Sequence, residues 1–332
     1  MGSRGICGAG EVGYGDEMRS LMSSNPLILS GVLLGAFLGL YFPVNSDILI
    51  LAKWLILATS MFLVTLALPL LSFGRAISRK RALACLLAVN FFVVPLVAFV
   101  LSRVVFQVAE LQVGLLLVLL APGVTFSLVT ARKVGGDVES VLGFMPILFL
   151  GQLFLVPLLT VFLSGGVFRI SDITPAFGKI GLVIGVPFFF ALAVQLTMAR
   201  FDNFARLRPL LENTRGPVIA LGVVLVLWLQ LPQHFEKLEL LYSLVPLFFA
   251  FLVLLAPLSL LAGILFGLTS PEKRAIMVLG AGRGSAVMLP LALSLDQESW
   301  GLVSFVVIVQ MAMEVLGLMV YRTIVPEIVQ SE

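Results

Sequence analysis

Predominantly apolar stretches of more than about 18 residues recur along the whole chain, and they constrain its fold more than any other feature. Of the 332 residues, 60% are hydrophobic and only 12% are charged. A porin-type barrel would instead show short segments of alternating polarity. Because a lipid-exposed span must satisfy its backbone hydrogen bonds internally, the sequence predicts an all-α polytopic membrane protein.

The apolar stretches predict ten transmembrane helices joined by short linkers. Residues 1–25 precede the first of them and are predicted to form a disordered cytoplasmic tail. Fifteen Lys and Arg residues fall in the tails and even-numbered loops, against five in the odd-numbered loops. This asymmetry places both termini in the cytoplasm. The expected location is the plasma (inner) membrane. The predicted spans lie near 26–43, 48–73, 82–107, 111–134, 138–164, 177–199, 215–232, 241–268, 272–295 and 300–325.

The composition also argues against several classes of function. A net charge of +3 is explained by basic cytoplasmic loops, so no nucleic acid partner is expected. The two cysteines, Cys7 and Cys85, are too few and too distant for a metal cage, and His234 lies in a predicted polar loop. No metal site and no cofactor are therefore expected.

The segment 271–297 is apolar enough to enter a membrane, yet its centre reads Gly280-Ala281-Gly282-Arg283-Gly284-Ser285. An arginine at the centre of a bilayer costs about 2.5–3.5 kcal/mol on insertion scales. Such a cost is typical of a residue with a function in the membrane.

The fourth predicted span carries a second interruption, at Pro122-Gly123. Proline removes a backbone donor and glycine weakens a helix. Gly123 and Gly282 are 159 residues apart, close to the 162 that separate Pro95 from Pro257. Because the broken spans, the fourth and the ninth, are five positions apart, they run in opposite directions across the membrane. The pattern therefore predicts a 5+5 inverted repeat, with 26–164 as the first five-helix repeat and 165–332 as the second.

The two breaks predict a binding site for a solute. The half-helices that begin after Gly123 and after Gly284 would direct partial positive charge towards the membrane centre, and Arg283 adds a full charge. We therefore expect a pocket for an anion or an oxygen-rich ligand. The hydroxyl groups near the first break either satisfy freed backbone groups or contact the solute. The predicted lining residues are Arg283, Gly282, Gly284, Ser285, Gly123, Thr125 and Ser127.

Three further polar residues lie inside predicted spans. Glu314 in the tenth span is a candidate proton carrier, cation ligand or ion-pair partner of Arg283. Gln310 lies one turn earlier on the same face. Asn90 precedes Pro95 by five residues and is either an interhelical hydrogen-bonding group or a ligand.

These residues resemble those of the bile acid:sodium symporter family and of the related arsenite-efflux permeases. The resemblance rests on the sequence APGVTFS followed by GGD at 121–137, on Asn90 with Pro95, and on the glycine-rich ninth span. It implies a ten-helix carrier with a panel domain and a core domain that are interleaved in sequence. It also implies that the discontinuous spans 4 and 9 cross in the core.

The chain departs from both groups at their site residues. In span 4 the sodium symporters have a motif similar to PGGTASN, and Leu128 of this chain replaces its asparagine. In span 9, Leu279 stands in the place of their sodium-binding glutamate, and Arg283-Gly284 in the place of a Gln-Asn pair. Asn90 keeps a side-chain oxygen at a sodium-ligand position. Glu314 resembles a glutamate of the arsenite permeases, but Gly123 stands where they have a cysteine.

The sequence therefore predicts a secondary active transporter of a small anionic or oxygen-rich solute, with protons rather than Na⁺ as the coupling ion. The alternatives are a metalloid efflux permease, a sodium-coupled organic anion symporter, and a passive channel or non-transporting sensor. No nucleophile-and-base set occurs, so an enzyme is not expected. The expected partners are the solute and the lipid bilayer, and the oligomeric state stays open.

Overall fold

A computed structural model describes residues 26–70, 79–123, 127–201 and 208–330, which form helices and no β-strand. Seven helical runs in this part of the chain are long and apolar enough to cross a membrane. They are Asp47–Ala67, Lys80–Val105, Val138–Leu163, Ile170–Arg200, Asn213–Leu265, Ser270–Ser294 and Gln297–Ile328. The prediction of an all-α polytopic membrane protein is confirmed, whereas the count of ten spans stays a prediction.

We number the helices in chain order. They are α1 (Pro26–Tyr41), α2 (Asp47–Ala67), α3 (Lys80–Val105), α4 (Ala109–Leu119), α5 (Ser127–Lys133), α6 (Val138–Leu163), α7 (Ile170–Arg200), α8 (Arg208–His234), α9 (Leu244–Leu265), α10 (Ser270–Ala281), α11 (Ser285–Ser294) and α12 (Gln297–Ile328). A 3₁₀ segment, Phe235–Ser243, joins α8 to α9.

Two sequence predictions of local structure were wrong. The second span was expected to run to residue 73, but α2 ends at Ala67. Pro69 explains this, since a proline disfavours the helical conformation of the residue before it. His234, predicted in a loop, is instead the last residue of α8.

The chain divides into two compact units, each built from two separate stretches of sequence. The first contains the described residues of 1–67 and 186–232, and the second those of 68–185 and 233–332. Each unit thus takes helices from both predicted repeats. The predicted panel and core domains stay a prediction, and the tail at 1–25 lies outside the described residues.

In the first unit, a row of glycines on α1 allows close packing against α8. A Cβ atom on Gly31 would lie 2.9 Å from the carbonyl oxygen of Ala220, and one on Gly35 would lie 2.9 Å from the Cα of Val224. Gly39 approaches the backbone of Leu227 in the same way. Small residues spaced four apart are a common means of bringing helix backbones together in membranes.

In the second unit, α10 and α11 are enclosed by other helices. Of the residues in the most apolar stretch of Ser270–Ser294, 94% are buried, compared with 67% for Gln297–Ile328. A backbone break in lipid would leave polar groups without partners, but a break inside protein can be satisfied by neighbouring residues. The burial of this segment therefore permits its interruption.

Arg79, which precedes α3, forms ion pairs with residues at the starts of α6 and α10. Arg79 lies 3.1 Å from a carboxylate oxygen of Asp137 and 3.3 Å from one of Glu272. Asp137 caps α6 through Ser140, and Glu272 belongs to the capping box of α10. These contacts hold the start of α3 against the starts of α6 and α10.

The close packing of α1 on α8 gives a testable prediction. We expect Gly35→Ala to lower the thermal unfolding midpoint of the purified protein, because the added methyl group meets the backbone of α8. Gly178→Ala is the matched control, since a Cβ atom there has nothing within 4 Å. Alanine improves helix propensity at both sites, so a midpoint for Gly35→Ala that equals or exceeds that of Gly178→Ala would contradict the packing.

Candidate functional site at the two helix breaks

Helical structure is interrupted at both predicted breaks. The chain leaves α4 at Leu119 and resumes with α5 at Ser127, and it leaves α10 at Ala281 and resumes with α11 at Ser285. Gly282 has φ −64° and ψ 133°, an extended conformation. Pro122 and the glycines remove donors and weaken the helix at these points.

The glycines at the breaks are required by close approach rather than by backbone conformation. Neither Gly123 nor Gly282 has a positive φ. A Cβ atom on Gly123 would overlap the carbonyl oxygen of Gly282, and one on Gly282 would lie 2.8 Å from Oγ of Ser127. The backbone N–H of Gly284 donates to the carbonyl oxygen of Pro122 at 2.8 Å. The two breaks are therefore in direct backbone contact.

Arg283 lies at this contact and has no solvent exposure. Its Nη1 donates to the carbonyl oxygen of Ala121 at 3.1 Å, and its Nη2 to Oδ1 of Asn90 at 3.1 Å. Nη2 also donates to the carbonyl oxygens of Leu279, at 3.3 Å, and of Gly280. Four neutral oxygens thus surround one guanidinium, and three of them are backbone carbonyls next to the breaks.

Asn90 reaches the guanidinium from a π-helical turn, Val89–Val93, within α3. Such turns insert a residue into an α-helix and are frequent at functional sites. Its Nδ2 donates to the carbonyl oxygen of Leu86 at 3.1 Å, which orients Oδ1 towards Arg283. The side chain is 1% exposed, so both ends of the amide are satisfied inside the protein.

Phe251 of α9 adds a contact that the sequence did not indicate. Its ring centroid lies 5.6 Å from Cζ of Arg283, within range of a cation–π interaction. Ser259, also on α9, is fully buried and lies against Gly280. Its Oγ has no hydrogen-bond partner among the described residues. An ordinary apolar helix therefore supplies one wall of the site, and nothing in its composition distinguishes it from a helix that faces lipid.

Glu314 contacts the start of α11 through Ser285. Oγ of Ser285 donates to Oε2 of Glu314 at 3.2 Å. The other carboxylate oxygen, Oε1, has no hydrogen-bond partner among the described residues, and the same is true of Oε1 of Gln310. Both side chains are at least 97% buried. The ion pair with Arg283 that the sequence left open is not formed within the described part of the chain, because the guanidinium donates to neutral oxygens only.

The two buried charges lie at helix ends of opposite polarity. Arg283 is at the C-terminal, partially negative ends of α4 and α10, and Glu314 is at the N-terminal, partially positive end of α11. Each charge therefore compensates the helix end beside it. That Arg283 and the helix N-termini together form one positive pocket for a solute stays a prediction.

Most of the predicted site residues lie in contact with one another around the two breaks. Ser127 is 1% exposed, and its Oγ donates to the carbonyl oxygen of Gly123 at 2.5 Å, so its hydroxyl satisfies a backbone group that the break frees. Thr125 lies outside the described residues. Asn90, Gly123, Ser127, Gly282, Arg283, Gly284, Ser285 and Glu314 form one connected set of contacts. Gln310 joins this set only through its position one turn from Glu314.

The close approach of the breaks predicts that Gly123 tolerates no side chain. We expect Gly123→Ala to reduce the yield of monodisperse protein and to lower the unfolding midpoint, because the methyl group has only rigid backbone to displace. Gly185→Ala is the control, since a Cβ atom at Gly185 has nothing within 4 Å. Equal midpoints for the two variants would show that the breaks are not in contact.

Comparison with known proteins identifies the family. A model of the sodium bile acid symporter family matches residues 54–233, which include Asn90 and the first break. No curated protein matches the chain. The match covers more than half of the sequence, and members of this family are membrane transporters. With its apolar helices, the chain is an integral membrane protein that belongs to the sodium bile acid symporter family.

Proposed function

We propose that this protein is a secondary active transporter that moves a small anionic or oxygen-rich solute by alternating access, independently of sodium and coupled to protons. The observation that carries the proposal is the guanidinium of Arg283, fully buried and held by four neutral oxygens beside the helix breaks. The guanidinium is a cation that cannot leave the protein, and it occupies the oxygens that a mobile coupling cation would need as ligands.

The ligands of Arg283 support independence from sodium. Unwound backbone carbonyls and the C-terminal ends of half-helices are the groups that coordinate Na⁺ in carriers with broken helices. Here Ala121, Leu279, Gly280 and Asn90 give such oxygens to Arg283. A sodium ion at the same place would have to displace the guanidinium, and two cations in one buried space would repel each other. The protein therefore carries its own cation.

Glu314 supports coupling to protons. It is buried, it is close to the break, and its Oε1 has no partner among the described residues. A carboxyl group inside a membrane is a common proton carrier, because protonation removes its charge without requiring other ligands. The hydroxyl of Ser285 can remain in contact with the carboxyl group in either state, since a hydroxyl both donates and accepts.

The solute site that we propose lies between the two breaks. Glycines in van der Waals contact there leave backbone N–H and C=O groups accessible once the breaks separate. The residues proposed to contact solute are Gly123, Thr125, Ser127, Gly282, Arg283, Gly284 and Ser285. Those proposed for coupling are Glu314, Asn90 and Gln310.

The proposal includes a ten-helix topology. The contact of the two breaks and the composition of each unit from both halves of the sequence support a 5+5 inverted repeat with crossing helices 4 and 9. The Lys and Arg distribution supports cytoplasmic termini. A plasma (inner) membrane location is part of the proposal. The run Asn213–Leu265 has 53 residues, more than twice the about 20 that one transmembrane helix needs, so it is long enough for the two spans predicted within it.

A metalloid oxyacid is the second candidate solute. Its hydroxyl groups could donate to Oε1 of Glu314 and Oε1 of Gln310, which have no partner in the described part of the chain. A ligand-stabilisation screen of the purified protein against organic acids, oxyanions and arsenite separates the two candidates. Stabilisation by arsenite alone would favour metalloid efflux, and stabilisation by an organic acid would favour the anion.

Transport in proteoliposomes tests the coupling ion. We expect an inward proton gradient to drive accumulation of the stabilising solute above equilibrium, and an inward sodium gradient of the same size to have no effect. Accumulation driven by sodium and not by pH would overturn the proposal in favour of a sodium-coupled symporter. Equilibration without accumulation would indicate a passive channel, and no transport at all a sensor.

Substitution of Arg283 tests its role in recognition. We expect Arg283→Gln to weaken binding of the anion by about tenfold or more, because the neutral amide leaves no positive charge in the site. Arg81→Gln is the control, since Arg81 is exposed on the first turn of α3. Unchanged affinity in Arg283→Gln, with the folded protein recovered, would show that the arginine is structural only.

A further inference from the structure

The buried charges of the second unit balance each other. Among its described residues, Arg283 and Glu314 are the only charged side chains that are buried, at 0% and 3% exposure. Together they have a formal charge of zero when both are ionised. Any change in the charge of one therefore leaves the other without compensation inside the protein.

Among the described residues of the elements packed against α12, Arg283 is the charged group that acts on Glu314. Helices α9 and α11 contain no ionisable residue. Tyr321, on α12 itself, donates its hydroxyl to the carbonyl oxygen of Leu252 at 2.6 Å. The other ionisable groups of the packed elements lie in terminal turns or in the 3₁₀ segment. They are Glu110 on α4, Arg132 and Lys133 on α5, Glu272, Lys273 and Arg274 on α10, and Glu236, Lys237, Glu239 and Tyr242 in Phe235–Ser243.

Protonation of Glu314 would change this balance. The carboxyl group would become neutral while Arg283 kept its charge, so the buried core would have a charge of +1. An uncompensated charge in a protein interior is strongly unfavourable unless a counter-ion is supplied. A bound monovalent anion is such a counter-ion and brings the charge of the core to zero. A neutral solute would leave the charge at +1, and a divalent anion would change it to −1.

We propose that the protein binds one monovalent anion together with one proton on Glu314, and that it carries the pair across the membrane without net charge. The ligand class is a small monocarboxylate, sulfonate or oxyanion. This inference rests on the proposed function and adds to it a stoichiometry, a ligand valence and an electroneutral cycle.

Thermodynamic linkage makes the coupling reciprocal. If the proton raises the affinity for the anion, the anion must raise the affinity for the proton by the same factor. In the pH range where Glu314 of the free protein is ionised, each rise of one pH unit should lower the apparent affinity for the anion about tenfold. This is the limit for one linked proton. The same binding event should take up one proton from the buffer.

Binding measurements on the purified protein test the linkage. Pyruvate, lactate, methanesulfonate and nitrate serve as monovalent probes, with succinate as the divalent comparison. Calorimetry in two buffers of different ionisation enthalpy gives the number of protons taken up. We expect at least one monovalent probe to bind together with one proton, and its affinity to show the tenfold dependence on pH. Succinate should show neither proton uptake nor this pH dependence.

Variants of the two charged residues identify the groups involved. Glu314→Gln imitates the protonated state, so its affinity for the anion should be high and independent of pH. Glu298→Gln, an exposed position in the first turn of α12, is the matched control and should keep the pH dependence. The double variant Arg283→Gln with Glu314→Gln has a neutral core, so it should fold even if Arg283→Gln alone does not, and it should bind no anion.

Proteoliposomes test the electroneutral cycle. A proton gradient should drive uptake of the probe that binds, and a membrane potential set with potassium and valinomycin should change the rate by less than about twofold. Protein-free vesicles give the background. Proton-driven uptake that depends on the potential, or Glu314→Gln with an unchanged pH dependence, would overturn this inference and leave the proposed transporter in place. No binding of any monovalent probe and no proton-driven uptake would overturn both.

Discussion

The hydrogen bonds of Arg283 are the interaction on which the second unit depends. Two interrupted helices bring free carbonyl groups into the interior, and a buried carbonyl without a partner is costly. The guanidinium satisfies Ala121 from one segment, Leu279 and Gly280 from the other, and Asn90 from a third helix. One side chain therefore neutralises the negative ends of α4 and α10 and holds three elements together. The absence of side chains at Gly123 and Gly282 makes this possible, because a Cβ atom on Gly123 would overlap the backbone of Gly282 and one on Gly282 would press on the hydroxyl group of Ser127.

The position of Glu314 follows from the same constraint. A buried cation needs compensation, but a direct ion pair would draw the guanidinium away from the carbonyls that it satisfies. In the structure the carboxylate instead contacts the start of α11 through Ser285, where the helix dipole favours a negative charge. The two charges are thus held apart, each by its own helix end. Oε1 of this carboxylate has no hydrogen-bond partner among the described residues, so a proton bound there would leave the contacts of the arginine intact.

The sequence predicted the helical class and the positions of the breaks, because proline, glycine and a charged residue within an apolar run are local signals. It did not predict which acceptors Arg283 uses. Residues 121 and 283 are 162 apart, and the choice between an ion pair with Glu314 and bonds to carbonyls depends on how close the breaks lie. Phe251 and Ser259 were missed for a similar reason, since an apolar helix that lines a site and one that faces lipid have the same composition. The end of α2 was misplaced where Pro69 outweighed a continuing apolar pattern.

The family to which the chain belongs is named for sodium, yet a family match does not determine the coupling ion. The matched residues, 54–233, end before the ninth predicted span, where Arg283 lies. A bound sodium ion and a built-in guanidinium present the same charge to the carbonyls, but they differ in one respect: the ion leaves at the end of each cycle and the guanidinium does not. A carrier with a permanent cation can use the electrostatic attraction for a solute at all times, so it gains no directionality from that charge. Directionality then requires a second group whose charge changes, and Glu314, which is buried beside the breaks, is the group that we propose for this role.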